Sequence, residues 1–192
     1  MDDRKLLYGY GDSNMWGWDP RLGAVSNRLP DREVWINMVA NCTGCRFINN
    51  SLPGRRIPIG SAVPLFLSSV EAESWDILFL MLGVNDLLSM PCPAPGRIAE
   101  LWIPALEALT SECPDRKNRI VLASITPCRM YVSSQERKMI SEGYARVAER
   151  FGICFFDTLS LALSLQFDGI HLNADGHKAL AEAVSRYLQR FI

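Results

Sequence analysis

Trp75-Asp76-Ile77-Leu78-Phe79-Leu80-Met81-Leu82-Gly83-Val84-Asn85-Asp86 is the stretch on which the fold turns. From Ile77 to Leu82 every side chain is apolar, so neither face of the segment can look at water. A strand apolar on both sides belongs inside a parallel sheet, with helices covering it above and below. Trp75 to Leu82 therefore reads as the strongest strand, ended by Gly83 and the turn formers Asn85 and Asp86.

The same alternation repeats outward from it. Lys5 to Tyr10 reads as a short strand closed by Gly11-Asp12-Ser13-Asn14. Asp31 to Asn41 reads as a helix with Val34, Trp35, Met38 and Val39 on one face. Cys45 to Asn49 is a second strand, followed by Ser51-Leu52-Pro53-Gly54, and Ser61 to Ala72 a helix. Past the central strand a loop with Pro91, Pro93 and Pro95 leads into a helical stretch from Gly96 to Cys113. Pro104 should kink or divide that helix, since proline donates no backbone bond. Arg119 to Ile125 is the fourth strand, Ser133 to Phe151 a long helix and Cys154 to Asp157 the fifth strand. Ala174 to Phe191 closes the chain as a helix capped by Asn173.

Strands alternating with helices imply an α/β fold: a three-layer α/β/α sandwich around a mostly parallel five-stranded sheet. With 192 residues and no repeat or linker, residues 1–192 are expected to form one domain. In such sheets ligands bind where the C-terminal ends of the strands gather. Residues with chemistry should therefore follow strands, and several strands should contribute.

Composition narrows the classes. Lys+Arg is 20 against Asp+Glu 21, a formal charge of -1, so there is no basic excess to neutralise nucleic-acid phosphates. The longest apolar run, Ile77 to Val84, is far short of the ~20 residues of a membrane helix, so no membrane insertion is expected. The start Met1-Asp2-Asp3-Arg4-Lys5 lacks the form of a signal peptide, and a cytoplasmic protein is expected. Six scattered cysteines read as mostly buried thiols. Only two histidines exist, His171 and His177, so no polyhistidine metal centre is available.

Four short words follow strands. Ser13 sits on a tight turn after the first; it is an ordinary turn residue unless a base activates its hydroxyl. Asp168-Gly169-Ile170-His171 places a carboxylate three residues before an imidazole, the spacing that lets the acid hold one ring nitrogen while the other faces a hydroxyl. The same word also suits a capped turn into the last helix. Asn85 could donate to an oxyanion or simply mark a turn. Gly54 could let a substrate oxygen approach its N–H or simply turn the chain. His177, inside the last helix, reads as a partly buried or surface helix residue.

Taken together, Ser13, Gly54, Asn85 and His171 fall in order after four strands, with Asp168 three before the histidine. This arrangement resembles the SGNH hydrolases, the GDSL-type esterases and lipases, over nearly the whole chain. The words Tyr10 to Gly17 and Phe167 to His177 are most similar to the arylesterase and acyltransferase branch, several members of which are homo-oligomers. The resemblance implies a flavodoxin-like SGNH fold. It implies Ser13 as nucleophile, His171 as general base and acid, and Asp168 as the residue that orients it. It also implies an oxyanion hole of the Ser13 and Gly54 N–H groups and the Asn85 amide. The usual first word ends in leucine, whereas Asn14 stands there. Gly54 is followed by Arg55-Arg56, where many relatives carry small or hydroxyl residues. Those arginines could attract an anionic substrate group, or be solvated or paired with acids.

Asn14, Met15, Trp16, Trp18, Arg55 and Leu87, with Leu88 and Met90, are the expected walls of a substrate pocket. One or two of the tryptophans could equally pack into the core. The expected reaction is hydrolysis of short-chain or aryl esters through an acyl-serine, which needs no metal or organic cofactor. Carbohydrate O-acetylesterase, lysophospholipase-like esterase, and acyl transfer to an alcohol or peroxide stay open. So do a thiol enzyme built on Cys42-Thr43-Gly44-Cys45 and an inactive binding module of the same fold. Other motifs fail: Gly9-x-Gly11 lacks the third glycine of a dinucleotide site, and there is no Gly-x-Ser-x-Gly elbow.

Overall fold

The computed structural model describes residues 3–21, 27–89, 94–128 and 133–192. Met90, Pro91 and Pro93, expected in the loop after Asn85, lie outside the described residues, as does Cys92. Five strands, β1 (Leu6–Gly11), β2 (Arg46–Ser51), β3 (Ile77–Met81), β4 (Ile120–Ala123) and β5 (Cys154–Phe156), form one sheet. Their order is β2-β1-β3-β4-β5 and every neighbouring pair is parallel. This is the doubly wound, flavodoxin-like order, and the chain reverses its direction of winding between β1 and β3.

Register places the site. Gly11, the last residue of β1, lies opposite Ser51 on one side and Met81 on the other. The segments leaving β1, β2 and β3 therefore start level with one another along one edge. Ser13, Gly54 and Asn85 lie two to four residues beyond that line.

Alternation along the strands builds two cores. Tyr8, Tyr10, Leu78, Leu80 and Leu122 face α3 (Ala62–Glu71), α5 (Ile103–Glu112) and α6 (Ser134–Phe151). Leu7, Ile77, Phe79, Met81 and Val121 face α2 (Trp35–Thr43) and α7 (Ala174–Leu188). The central strands are thus buried on both faces, as their unbroken apolar sequences require.

Two of the expected helices differ. The stretch from Asp31 to Asn41 divides into a 3₁₀ turn at Asp31–Glu33 and α2, because Val34 between them is extended. Gly96 to Cys113 divides as well, into a 3₁₀ segment at Pro95–Trp102 and α5. Pro104 falls in the first turn of α5, where a missing N–H breaks no bond. Ser133 and Glu136 cap α6 reciprocally, and the Asn173 side chain accepts from the Gly176 N–H at 2.9 Å to start α7. Among the described residues no helix is long and apolar enough to cross a membrane.

Candidate active site

Ser13 opens a one-turn helix, α1 (Ser13–Trp16), directly after β1. Asp12 is extended and caps it, its carboxylate accepting the Asn14 N–H at 2.9 Å; Gly17, left-handed, ends it. Beneath this turn Met15 lies flat on the strand. A Cβ on Gly9 or Gly11 would press into the Met15 side chain, so these two glycines make room for methionine. Burial pushes the Asp12 carboxyl up to about 7; the Asn14 N–H opposes the rise and the charge of Asp86 adds to it.

His171 and Asp168 arrive on the loop between β5 and α7. One Asp168 oxygen accepts the backbone N–H groups of Ile170 and His171, each at 3.0 Å, which fixes the carboxylate. The other lies 2.6 Å from His171 Nδ1, and His171 Nε2 lies 2.9 Å from Ser13 Oγ. A carboxylate only accepts, so Nδ1 carries the proton and Nε2 presents its lone pair to the Ser13 hydroxyl. Burial works to raise the Asp168 carboxyl, but the hydrogen bonds from the His171 ring and the two backbone N–H groups outweigh it and hold it below its ordinary value.

The Gly54 and Asn85 segments meet beside this group. Asn85 Nδ2 donates to the Arg55 carbonyl at 2.9 Å, tying the end of β3 to the residue after Gly54. Gly54 is exposed and left-handed, with φ 75°. Asp86, buried, accepts the Ile57 N–H at 3.1 Å and Arg56 Nε at 3.2 Å and so holds the same loop from its other side. Above the Asn85 turn, Tyr144 donates to the Leu82 carbonyl at 2.6 Å. Its hydroxyl occupies the space where Gly83 would carry a Cβ.

Three of the expected pocket walls, Asn14, Met15 and Leu87, turn inward. Met15 and Leu87 belong to the two cores, because the single helical turns after β1 and β3, α1 and α4 (Val84–Leu87), roll those positions inward. Asn14 is 1% exposed, and its amide is consumed by the protein. Arg55 stacks on Tyr10, 4.1 Å from the ring centroid, and donates to the carbonyl and side chain of Asn50 and to the Gly11 carbonyl. Arg56 pairs with Asp86 and Ser89. Both arginines thus have protein partners, and both also line the cleft beside Gly54.

Trp16 and Trp18 are half-buried, and the Trp18 ring lies 6.2 Å from that of His171. A cleft of roughly 410 Å³ opens beside Gly54, lined by Tyr10, Arg55, Ile57, Pro58 and Ile59. A larger one of roughly 510 Å³ lies between α2 and α7 and touches none of these groups. Sequence reasoning did not single out Asp12, Asp86, Thr126 or Tyr144. Only Asp12 and Asp86 carry a sequence signal, each next to a candidate polar residue. No group of three His, Cys, Asp or Glu side chains among the described residues is placed to hold a metal ion.

A serine, histidine and aspartate in hydrogen-bonded series on a parallel α/β edge define the hydrolase class to which the fold points. Residues 9–179 match the GDSL-like Lipase/Acylhydrolase family, and the chain belongs to that family. The fold is shared with the aryl esterase of M. smegmatis (21% identity, 98% of this chain and 100% of that one, TM-score 0.80). It is also shared with Est24, a carbohydrate acetylesterase from Sinorhizobium meliloti (19%, 98% and 100%, TM-score 0.79). The lipase/acylhydrolase of Enterococcus faecalis is a third such neighbour (17%, 97% and 96%, TM-score 0.74). No curated protein sequence matches the chain.

Proposed function

We propose that this chain, acting as one domain over residues 1–192, is a serine esterase that hydrolyses short-chain acyl or aryl carboxylic esters. The observation that carries the reading is the unbroken series Asp168 Oδ2, His171 Nδ1, His171 Nε2 and Ser13 Oγ, with steps of 2.6 and 2.9 Å. In this reading Ser13 Oγ attacks the ester carbonyl as its proton passes to His171 Nε2. Asp168 keeps the ring in the accepting tautomer and stabilises the imidazolium that forms. The oxyanion is received by the N–H groups of Ser13 and Gly54 and by the Asn85 amide, which the Arg55 carbonyl already orients. His171 returns the proton to the leaving alcohol. Water, deprotonated by the same nitrogen, then attacks the acyl-serine, and His171 passes that proton to Ser13 Oγ as the acid leaves.

The modest cleft beside Gly54 supports short acyl groups, and Trp18 beside His171 supports an aryl or sugar alcohol on the leaving side. The names of the structural neighbours, aryl esterase and carbohydrate acetylesterase, fit the same pair of choices. Acyl esters of graded chain length, acetylated sugars among them, assayed against wild type and Ser13→Ala test the reading. Hydrolysis lost in the variant, with serine-directed phosphonate labelling confined to Ser13, is expected. Full turnover by Ser13→Ala refutes it, and activity removed by thiol alkylation but indifferent to phosphonate would point to the cysteine pair.

A further inference from the structure

Asn14 stands where the usual first word of the family has leucine. Its side chain is 1% exposed, and an amide in that position is costly unless its polar atoms find partners. The partners are specific. Nδ2 donates to Thr126 Oγ1 at 2.9 Å and to the Ile170 carbonyl at 3.3 Å. Oδ1 accepts the Leu172 N–H at 2.9 Å. Ile170 and Leu172 are the residues on either side of His171. The Asn14 backbone is also held, with its N–H on Asp12 and its carbonyl accepting Trp35 Nε1 at 3.1 Å.

One side chain, adjacent in sequence to Ser13, therefore grips the backbone on both flanks of the histidine and braces the pair against the segment after β4. The Ser13 and His171 segments come from opposite ends of the chain, 158 residues apart, and the Asn14 side chain links them directly. A leucine would fill similar space but could neither donate to the Ile170 carbonyl nor accept from the Leu172 N–H. It would leave the buried Leu172 N–H and the part-buried Ile170 carbonyl without these partners.

We propose that Asn14 is a positioning residue for the reaction: a polar strut that sets the distance and angle between Ser13 Oγ and His171 Nε2. The proposal rests on the serine-esterase reading above, and it concerns proton transfer rather than substrate binding. Displacing a reacting pair by a fraction of an ångström to an ångström slows the chemical step while leaving ground-state binding alone.

The test compares wild type, Asn14→Leu and Thr126→Val on a short aryl ester and, separately, by the rate of inactivation with a serine-directed phosphonate. For folded Asn14→Leu, kcat and the inactivation rate should both fall about 10–100-fold with KM changed by less than about threefold. Thr126→Val, which removes one of the three partners, should show the same split at a few-fold loss. Unchanged kcat in folded Asn14→Leu, or a raised KM with kcat intact, overturns the proposal. If Asn14→Leu does not fold, Thr126→Val decides by the same split. A wild type that neither hydrolyses the ester nor takes the label at Ser13 removes the esterase reading and the strut with it. An active wild type with an equally active Asn14→Leu removes the strut alone.

Discussion

The loop before α7 and the first turns of α7 carry one histidine each, six residues apart, and treat them in opposite ways. His171 is half-buried, with Nδ1 on the Asp168 carboxylate and Nε2 facing the Ser13 hydroxyl. His177 is fully buried. Its Nδ1 accepts the Trp35 N–H at 3.3 Å, and its Nε2 has no partner among the described residues. Burial drives its pKa down to about 4, partly offset by the charge of Asp19. The difference teaches that imidazole becomes reactive through the company it keeps. On the esterase reading, a carboxylate on one nitrogen and a hydroxyl on the other make a proton carrier, whereas a backbone donor and deep burial keep the second ring neutral.

Kinetics offer the strongest way to break that contrast. Under the esterase reading, His171→Ala should lower kcat/KM by about 10⁴-fold or more, whereas His177→Asn should stay within about tenfold of wild type. Comparable losses in steady-state ester hydrolysis would erase the distinction. Asn85→Ala probes the other side of the reacting carbonyl and should cost about 10²–10³ in kcat, removing one oxyanion donor. A loss confined to KM would deny it that role.

Stability against pH sharpens the comparison further. His177 is held below its ordinary value, so the unfolded chain takes up the proton first, and stability is lost as pH falls from about 6.5 to about 4. The loss from this group is on the order of 3 kcal/mol. Asp12 has the opposite sign. Its raised pKa means the folded state keeps the proton, and stability is lost as pH rises from about 4 to about 7. In the shared window the two slopes oppose each other. Urea midpoints should therefore show Asp12→Asn gaining stability with rising pH relative to wild type, and His177→Asn losing it. Parallel curves for all three proteins would show that neither group titrates as assigned. The smallest effect expected is at Trp18, where alanine should change kcat/KM for aryl esters by less than about tenfold, since its ring only flanks His171.

Much of this arrangement was legible in the sequence because it is periodic. Ile77 to Leu82 has a single physical solution, and the other strands follow from where the helices must lie. The order Ser13, Gly54, Asn85 and His171 along strand ends could likewise be read. What could not be read is which way side chains point inside a single turn of helix. Asn14, Met15 and Leu87 sit beside candidate residues in sequence, yet α1 and the matching turn after β3 roll them inward. The division at Val34 was hidden for a related reason: Asp31 to Asn41 carries helical spacing throughout, and only the extended backbone at Val34 separates the two elements. Arg55 and Arg56 drew attention as charges, but their partners, Tyr10, Asn50 and Asp86, are brought to them only by the tertiary fold.

The space under the strand ends has a bearing on how such a site can diversify. Gly9 and Gly11 are filled by Met15, and Gly83 by the Tyr144 hydroxyl, so the floor admits no added carbon without displacing core. New selectivity has to be written on the rim instead. Phe167, 80% exposed beside Asp168, and the exposed Leu52 and Ile59 on either side of the Gly54 loop can change size or polarity without moving a strand. A library aimed at other esters would do best to leave the floor untouched and vary those three positions together with Trp18.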